Sequence, residues 1–204
     1  MTRLAVNLLS LVPGEVGGAE EYAVRTLAAY GRHGPAGLRP VIYLSQAALD
    51  AHPDLGRAFD VEVHPGDGRS RLRRILAEST WLARRTNSMA VHHFGGRIPA
   101  RSGKPVAVTV HDLQPLDQPL NFSLIKRRYL GWALPRSVRR ADLVVAIGDH
   151  VGRQVVERLG VDPGRVVIVP IGAESVAAGP ADPSDPPTIL YPAVTHPHKN
   201  HLML

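Results

Sequence analysis

The 204-residue chain contains no cysteine, so disulfides, thiolate nucleophiles and cysteine-ligated zinc are excluded together. Aromatic residues make up only 5%, with two tryptophans and three phenylalanines. No apolar run approaches the roughly 18 residues that would cross a bilayer as a helix. Residues 1–10 are too short for a secretory leader and lack a small-residue cleavage site, so a first strand is expected there. The absence of cysteine fits a reducing compartment, and a cytoplasmic location is expected.

What is abundant is positive charge. Lysine and arginine number 24 against 18 acidic residues, a balance of +6. The arginines cluster at Arg69, Arg71, Arg73 and Arg74, at Arg127 and Arg128 beside Lys126, and at Arg136, Arg139 and Arg140. Clusters of this kind attract phosphate, nucleic acid or anionic membrane. No helix-turn-helix, zinc or RNP-type motif accompanies the charge, so nucleic acid is not an expected partner. Alanine, glycine and proline are abundant too, as in a GC-rich genome, and these arginines are expected to face solvent on helices.

Strands and helices alternate. Apolar, β-branched runs predict strands at 4–9, 41–44, 61–63, 90–93, 106–110, 143–147 and 166–169. Helical periodicity places Tyr22, Ala23, Leu27 and Tyr30 on one face of 19–33. It likewise groups Leu72, Ile75, Leu76 and Leu82 within 72–85, and Val151, Val155 and Leu159 within 150–159. Several strands are nearly continuous apolar runs, the pattern of a parallel sheet covered on both faces. The alternation predicts an α/β fold with a doubly wound, mostly parallel, Rossmann-like sheet. The expected organisation is an N-terminal domain over 1–174, a Pro/Ala/Asp-rich linker over 175–187 and, at 188–204, the opening of a second domain whose remainder is missing.

Ligands of open α/β sheets bind beyond the carboxyl ends of the strands. After the first strand, a loop with Gly14, Gly17 and Gly18 opens a helix whose backbone N–H groups suit a phosphate or a sugar hydroxyl. The glycines lack the G-x-G-x-x-G spacing, and the second strand ends in Ser45-Gln46 where a dinucleotide site needs an acid. His92 and His93 end the fourth strand, and His111-Asp112 end the fifth, which makes a titratable mouth at one sheet edge.

Taken together these residues resemble glycosyltransferase family 4, of GT-B fold. Gly17-Gly18-Ala19-Glu20 is similar to the family's Gly-Gly-x-Glu element, and Thr109-Val110-His111-Asp112 to its Thr-x-His-Asp strand end. The run from Arg139 to Ile147 resembles its arginine–alanine–aspartate strand, and the run from Leu159 to Pro170 the segment closing its N-terminal domain. The run from Tyr191 to Asn200 resembles the opening of its donor domain. The ordered set spans nearly the whole chain.

The resemblance implies a retaining transfer of a hexosyl group from a nucleotide-diphosphate sugar to a glycan, lipid-linked or small-molecule acceptor. The N-terminal half would hold the acceptor. Gly17 and Gly18 would approach the donor phosphates or sugar, and His111 would contact the sugar, with Asp112 shaping its loop. Glu20 and His93 would belong to the acceptor-side loops. Lys199 would pair with the diphosphate and stabilise the leaving group, a fixed-cation role that needs no metal and no other cofactor. The family's acidic pair would lie beyond Leu204, so the chain alone is expected to be inactive. Three positions depart from the family pattern: Val194 replaces an arginine, Gly148 a serine and Ile171 an asparagine.

Two other readings stand beside this one, a non-catalytic Rossmann-like binding module and a GT-B epimerase or phosphorylase. His196, His198 and His201 have a spacing that could bind a metal, but a turn fixes ligands poorly, and an exposed His-rich turn is expected instead. Residues 122–134 mix Lys126, Arg127 and Arg128 with Phe122, Leu130 and Trp132. Such a helix can lie on the inner face of an anionic membrane; packing of its apolar side on the sheet is the stronger expectation.

Overall fold

The computed structural model describes residues 2–15, 17–172, 191 and 201–203. It divides into two compact units, Met1–Ile171 and Gly172–Leu204. The linker and Lys199 lie outside the described residues, as do His196 and His198. Within the second unit, Tyr191 meets the ring of His201 edge-on at 5.1 Å.

The first unit is a seven-stranded sheet in the order β3-β2-β1-β4-β5-β6-β7. The strands are β1 (Thr2–Asn7), β2 (Leu38–Ser45), β3 (Asp60–His64), β4 (Ala90–His93), β5 (Val106–Val110), β6 (Leu143–Ala146) and β7 (Val166–Ile168). Every neighbouring pair is parallel. Alternate residues of β2 serve opposite faces. Ile42 and Leu44 pack with Tyr22 and Leu27 of α1 (Gly18–His33), while Val41 and Tyr43 pack with Ala77 and Leu82 on the other side. Both faces are dry, which is why the strands read as unbroken apolar runs.

A third cluster joins Val106, Val108 and Val110 to Leu134 and Val138 of α7 (Leu124–Arg140) and to Val155 and Leu159 of α8 (Asp149–Leu159). Gly160 ends α8 in the left-handed conformation, φ 65°, which glycine adopts without strain. The expected faces of α1 and α8 are realised, with Tyr30 half-buried and donating its hydroxyl to the Leu38 carbonyl at 2.7 Å.

The segment 72–85 departs from expectation. It is α4 (Arg71–Ala77), a π-helical turn over Glu78–Leu82 and a short α5 (Ala83–Arg85). Leu72 is 75% and Leu76 63% exposed, whereas Ala77, Glu78 and Leu82 are buried. A buried carboxylate must have a partner. The partners of Glu78 lie on the sheet side, and facing them turns Leu72 and Leu76 to solvent.

The basic helix α7 is divided along its length. Ala133, Leu134, Ser137 and Val138 pack inward, as expected. Its first turn instead exposes Leu124 and Ile125 beside Lys126, Arg127 and Arg128. Short helices that periodicity did not single out fill the connections: α2 (Gln46–Ala51), α3 (Pro53–Ala58) and α6 (Gln114–Asp117). Ser45 caps α2 by accepting from the Ala48 amide at 3.2 Å.

Candidate functional site

Strand order reverses between β1 and β4, so their carboxyl ends diverge and leave a crevice. Asn7 and His93 end these strands in register. One Asn7 Nδ2 hydrogen points to His93 Nδ1 at 2.9 Å and the other to Glu78 Oε1 at 3.3 Å, while Oδ1 accepts from the Leu9 amide at 3.0 Å. That last bond turns the chain out of β1, two residues before the apolar run ends.

An amide N–H facing Nδ1 makes that nitrogen the acceptor, so the ring proton sits on Nε2 and is donated to Ser102 Oγ, 2.9 Å away. Burial, followed by repulsion from His92 and Arg140, lowers His93 to about 3, and burial lowers His92 to about 4. Both are neutral near pH 7. His93 is fully buried with each nitrogen engaged. It therefore has a structural position, supporting the chain after β4 from beneath.

His111 follows β5 directly. Its Nε2 donates to the Phe94 carbonyl at 3.1 Å, and Tyr22 meets its ring edge-on at 5.2 Å. Burial lowers its pKa, against smaller raising effects of the Phe94 bond and Asp112. A neutral ring donating through Nε2 presents Nδ1 as an acceptor. Asp112 is exposed and accepts from the Gln114 amide at 3.0 Å, which shapes the turn into α6.

His111 lines two cavities that also share Gly95. One, of about 160 Å³, lies between Arg97, Asp112 and Leu130. The other, of about 230 Å³, lies between Ser10, Ala19, Phe94 and Arg74. Arg74 continues into a third of about 260 Å³, bounded by Ser45, His64 and Arg73. The three cavities thus form a groove-like row along the carboxyl ends of β3, β2, β1, β4 and β5, with Arg74, Gly95 and His111 at their boundaries.

Gly17 and Gly18 are exposed and immediately precede Ala19 of the second cavity. Gly17 has φ 55°, where a side chain would be strained. Glu20 holds this loop from within: one carboxylate oxygen accepts from the Gly14 amide at 3.0 Å, and the other meets His52 Nε2 at 2.7 Å. The structure thus brings His111, Asp112 and the α1 start to one groove, with Glu20 and His93 as its supports.

The family model described as Glycosyltransferase Family 4 matches residues 16–175. The chain belongs to glycosyltransferase family 4. No curated protein matches it. Among solved structures, the family-4 chain is similar to Anabaena HepE, crystallised in complex with UDP and glucose. The two share 15% identity and a TM-score of 0.52 over 85% of this chain and 45% of that one. It is also similar to the lipopolysaccharide outer core galactosyltransferase WaaB in its apo form, at 12% identity and a TM-score of 0.46 over 91% of this chain and 50% of that one. The chain spans about half the length of these structures. The fold is the Rossmann-like half of a GT-B glycosyltransferase.

Four residues in or around the family-4 groove were not singled out from sequence: Arg97, which lines it, and Asn7, Glu78 and Tyr129, which support it. Arg97 forms an ion pair with Glu78, whose side chain is 3% exposed, and hydrogen-bonds Tyr129 of α7. Arg71 lies over the same phenol ring, 4.8 Å from its centre. The expectation that the α4 arginines all face solvent is corrected: Arg71 and Arg74 are half-buried, because the inward turn of Glu78 carries their helix face toward the groove. A glutamate in an otherwise apolar stripe is the signal that could have found this.

Proposed function

We propose that this chain is the acceptor-side half of a retaining glycosyltransferase that moves a hexosyl group from a nucleotide-diphosphate sugar. The observation carrying this reading is His111, a neutral imidazole anchored through Nε2 and set between two cavities at the sheet's carboxyl edge. In the proposed reaction, Nδ1 accepts a hydrogen bond from a hydroxyl of the transferred sugar and fixes its angle. The exposed amides at Gly17 and Gly18 receive the donor phosphates or sugar, as unpaired N–H groups at a helix start favour anions. The acceptor oxygen bonds to the anomeric carbon on the same face from which the diphosphate departs, and the acceptor's hydroxyl proton passes to the departing phosphate oxygen. Lys199 then stabilises the negative charge on the departing diphosphate, and no metal is required.

Turnover is proposed to need a second, donor-binding domain after the 175–187 linker. The exposed Leu124 and Ile125, next to Lys126, Arg127 and Arg128, support peripheral contact with an anionic inner leaflet. No helix among the described residues is long and apolar enough to cross a membrane.

The test is a transfer assay on the product of the complete reading frame. UDP-glucose is the first donor to try, given the UDP and glucose complex of HepE. NMR of the product reports the anomeric configuration. Transfer with retention supports the reading, transfer with inversion overturns the mechanism, and failure with every nucleotide sugar overturns the function.

A further inference from the structure

Three guanidiniums from two segments converge on one phenol. Arg71 stacks on Tyr129, Arg97 hydrogen-bonds it, and Arg74 interacts with it electrostatically. Among the described residues Glu78 is the carboxylate that ion-pairs with one of the three, Arg97. Asp112 borders the cavity of Arg97 and Asp67 that of Arg74 without an ion pair to either, and Glu15, at the outer edge, is shared with Arg69 at 3.9 Å.

Packing like charges in a half-buried groove costs stability, and each of the three arginines is held below its ordinary pKa, first by burial. Their known contacts do not use up the donors: Arg74 gives one N–H to the Gly68 carbonyl at 3.1 Å, and a guanidinium carries five. Arg97 and Arg74 line cavities that meet at Gly95 and His111. The donors left over on Arg74 and Arg97 therefore face these cavities.

We infer that the acceptor carries a phosphate group and that Arg71, Arg74 and Arg97 receive it. This rests on the transferase reading above. Guanidiniums bind phosphate through paired N–H donors, and a phosphate offers three oxygens to the three of them where a carboxylate offers two. The phosphate can belong to a lipid headgroup or to a soluble sugar phosphate, and the experiment separates them.

The 204-residue chain is titrated with inorganic phosphate, and in parallel floated with phosphatidylcholine vesicles with and without phosphatidic acid. Arg71→Gln and Arg74→Gln are compared with Arg153→Gln, an exposed α8 arginine that controls for bulk charge. Thermal melts confirm that each variant is folded, and Glu78→Gln/Arg97→Gln tests the third arginine without stranding the carboxylate. Saturable inorganic phosphate binding, weakened about tenfold by Arg71→Gln or Arg74→Gln and unchanged by Arg153→Gln, is the expected result. Binding only to vesicles containing phosphatidic acid, with the same sensitivity, assigns the phosphate to a lipid. Absence of both, or binding that all variants share with the wild type, overturns the inference. The readout is independent of turnover. Arginine-dependent binding without any transferase activity would refute the transferase reading, and transfer to neutral acceptors without phosphate binding would refute only this one.

Discussion

Asn7 at the end of β1 donates to Nδ1 of His93 at the end of β4, 2.9 Å away, across the point where strand order reverses. The bond ties the two halves of the sheet together directly beneath the groove. All of Asn7's polar atoms are engaged at 2% exposure, so Asn7→Ala strands buried groups on His93 and Glu78. We predict a loss of about 2–3 kcal/mol in urea denaturation, and a larger one for Asn7→Asp, which sets a second carboxylate against Glu78.

The neutral histidines make stability depend on pH. His92 and His93 titrate in the fold at about 4 and about 3, below the usual 6.5 of the unfolded chain. Between those values the unfolded state binds more protons, so stability is complete above pH 6.5 and falls as pH drops toward 4. A loss of about 2–4 kcal/mol is expected between pH 7 and pH 5, read from denaturant melts. A melt that does not change over that range would contradict the buried neutral assignment.

Glu78 and Arg97 are a buried pair at 3% and 17% side-chain exposure. Removing either partner should cost about 3–5 kcal/mol, because the survivor is left charged and unpaired. Glu78→Gln/Arg97→Gln should cost less than the sum of the single changes, and a double-mutant cycle measures the difference.

Gly95 borders both His111 cavities, and a Cβ there would lie 2.3 Å from Ser10 Oγ and 2.8 Å from its Cβ. Gly95→Ala must push the β1 and β4 loops apart. We expect transfer to fall by more than tenfold, as small displacements of positioning groups do, with a melting temperature lowered by only a few degrees. Equal losses of activity and folded fraction would show that Gly95 serves the fold rather than the groove.

Much of the architecture was legible in the chain because dry parallel strands leave a local mark. Val41, Ile42, Tyr43 and Leu44 are all buried, on alternating faces, so the run needs no long-range knowledge to be read. The His111 edge was legible for the same reason, since a strand end followed by His-Asp is a local pattern. The end of β1 was not: the chain leaves the sheet at Asn7 through a side-chain bond, while the apolar run continues to Leu9. The arginine cluster was illegible for another reason. Arg71, Arg97 and Tyr129 are far apart in sequence and meet only in the folded chain, and a period of 3.6 cannot foresee the π-helical turn at Glu78–Leu82.

The most direct test of the account is the effect of His111→Ala on transfer by the complete gene product. The ring is anchored by one bond to the Phe94 carbonyl and an edge contact with Tyr22, so its loss should lower the melting temperature only slightly. A roughly 30- to 300-fold fall in kcat/KM, with the fold intact, is the predicted result for a contact that orients the transferred sugar. Activity within about threefold of the wild type would contradict it, since the loss of a functional hydrogen bond costs more than that; the nitrogen at the end of β5 would then have no part in the reaction.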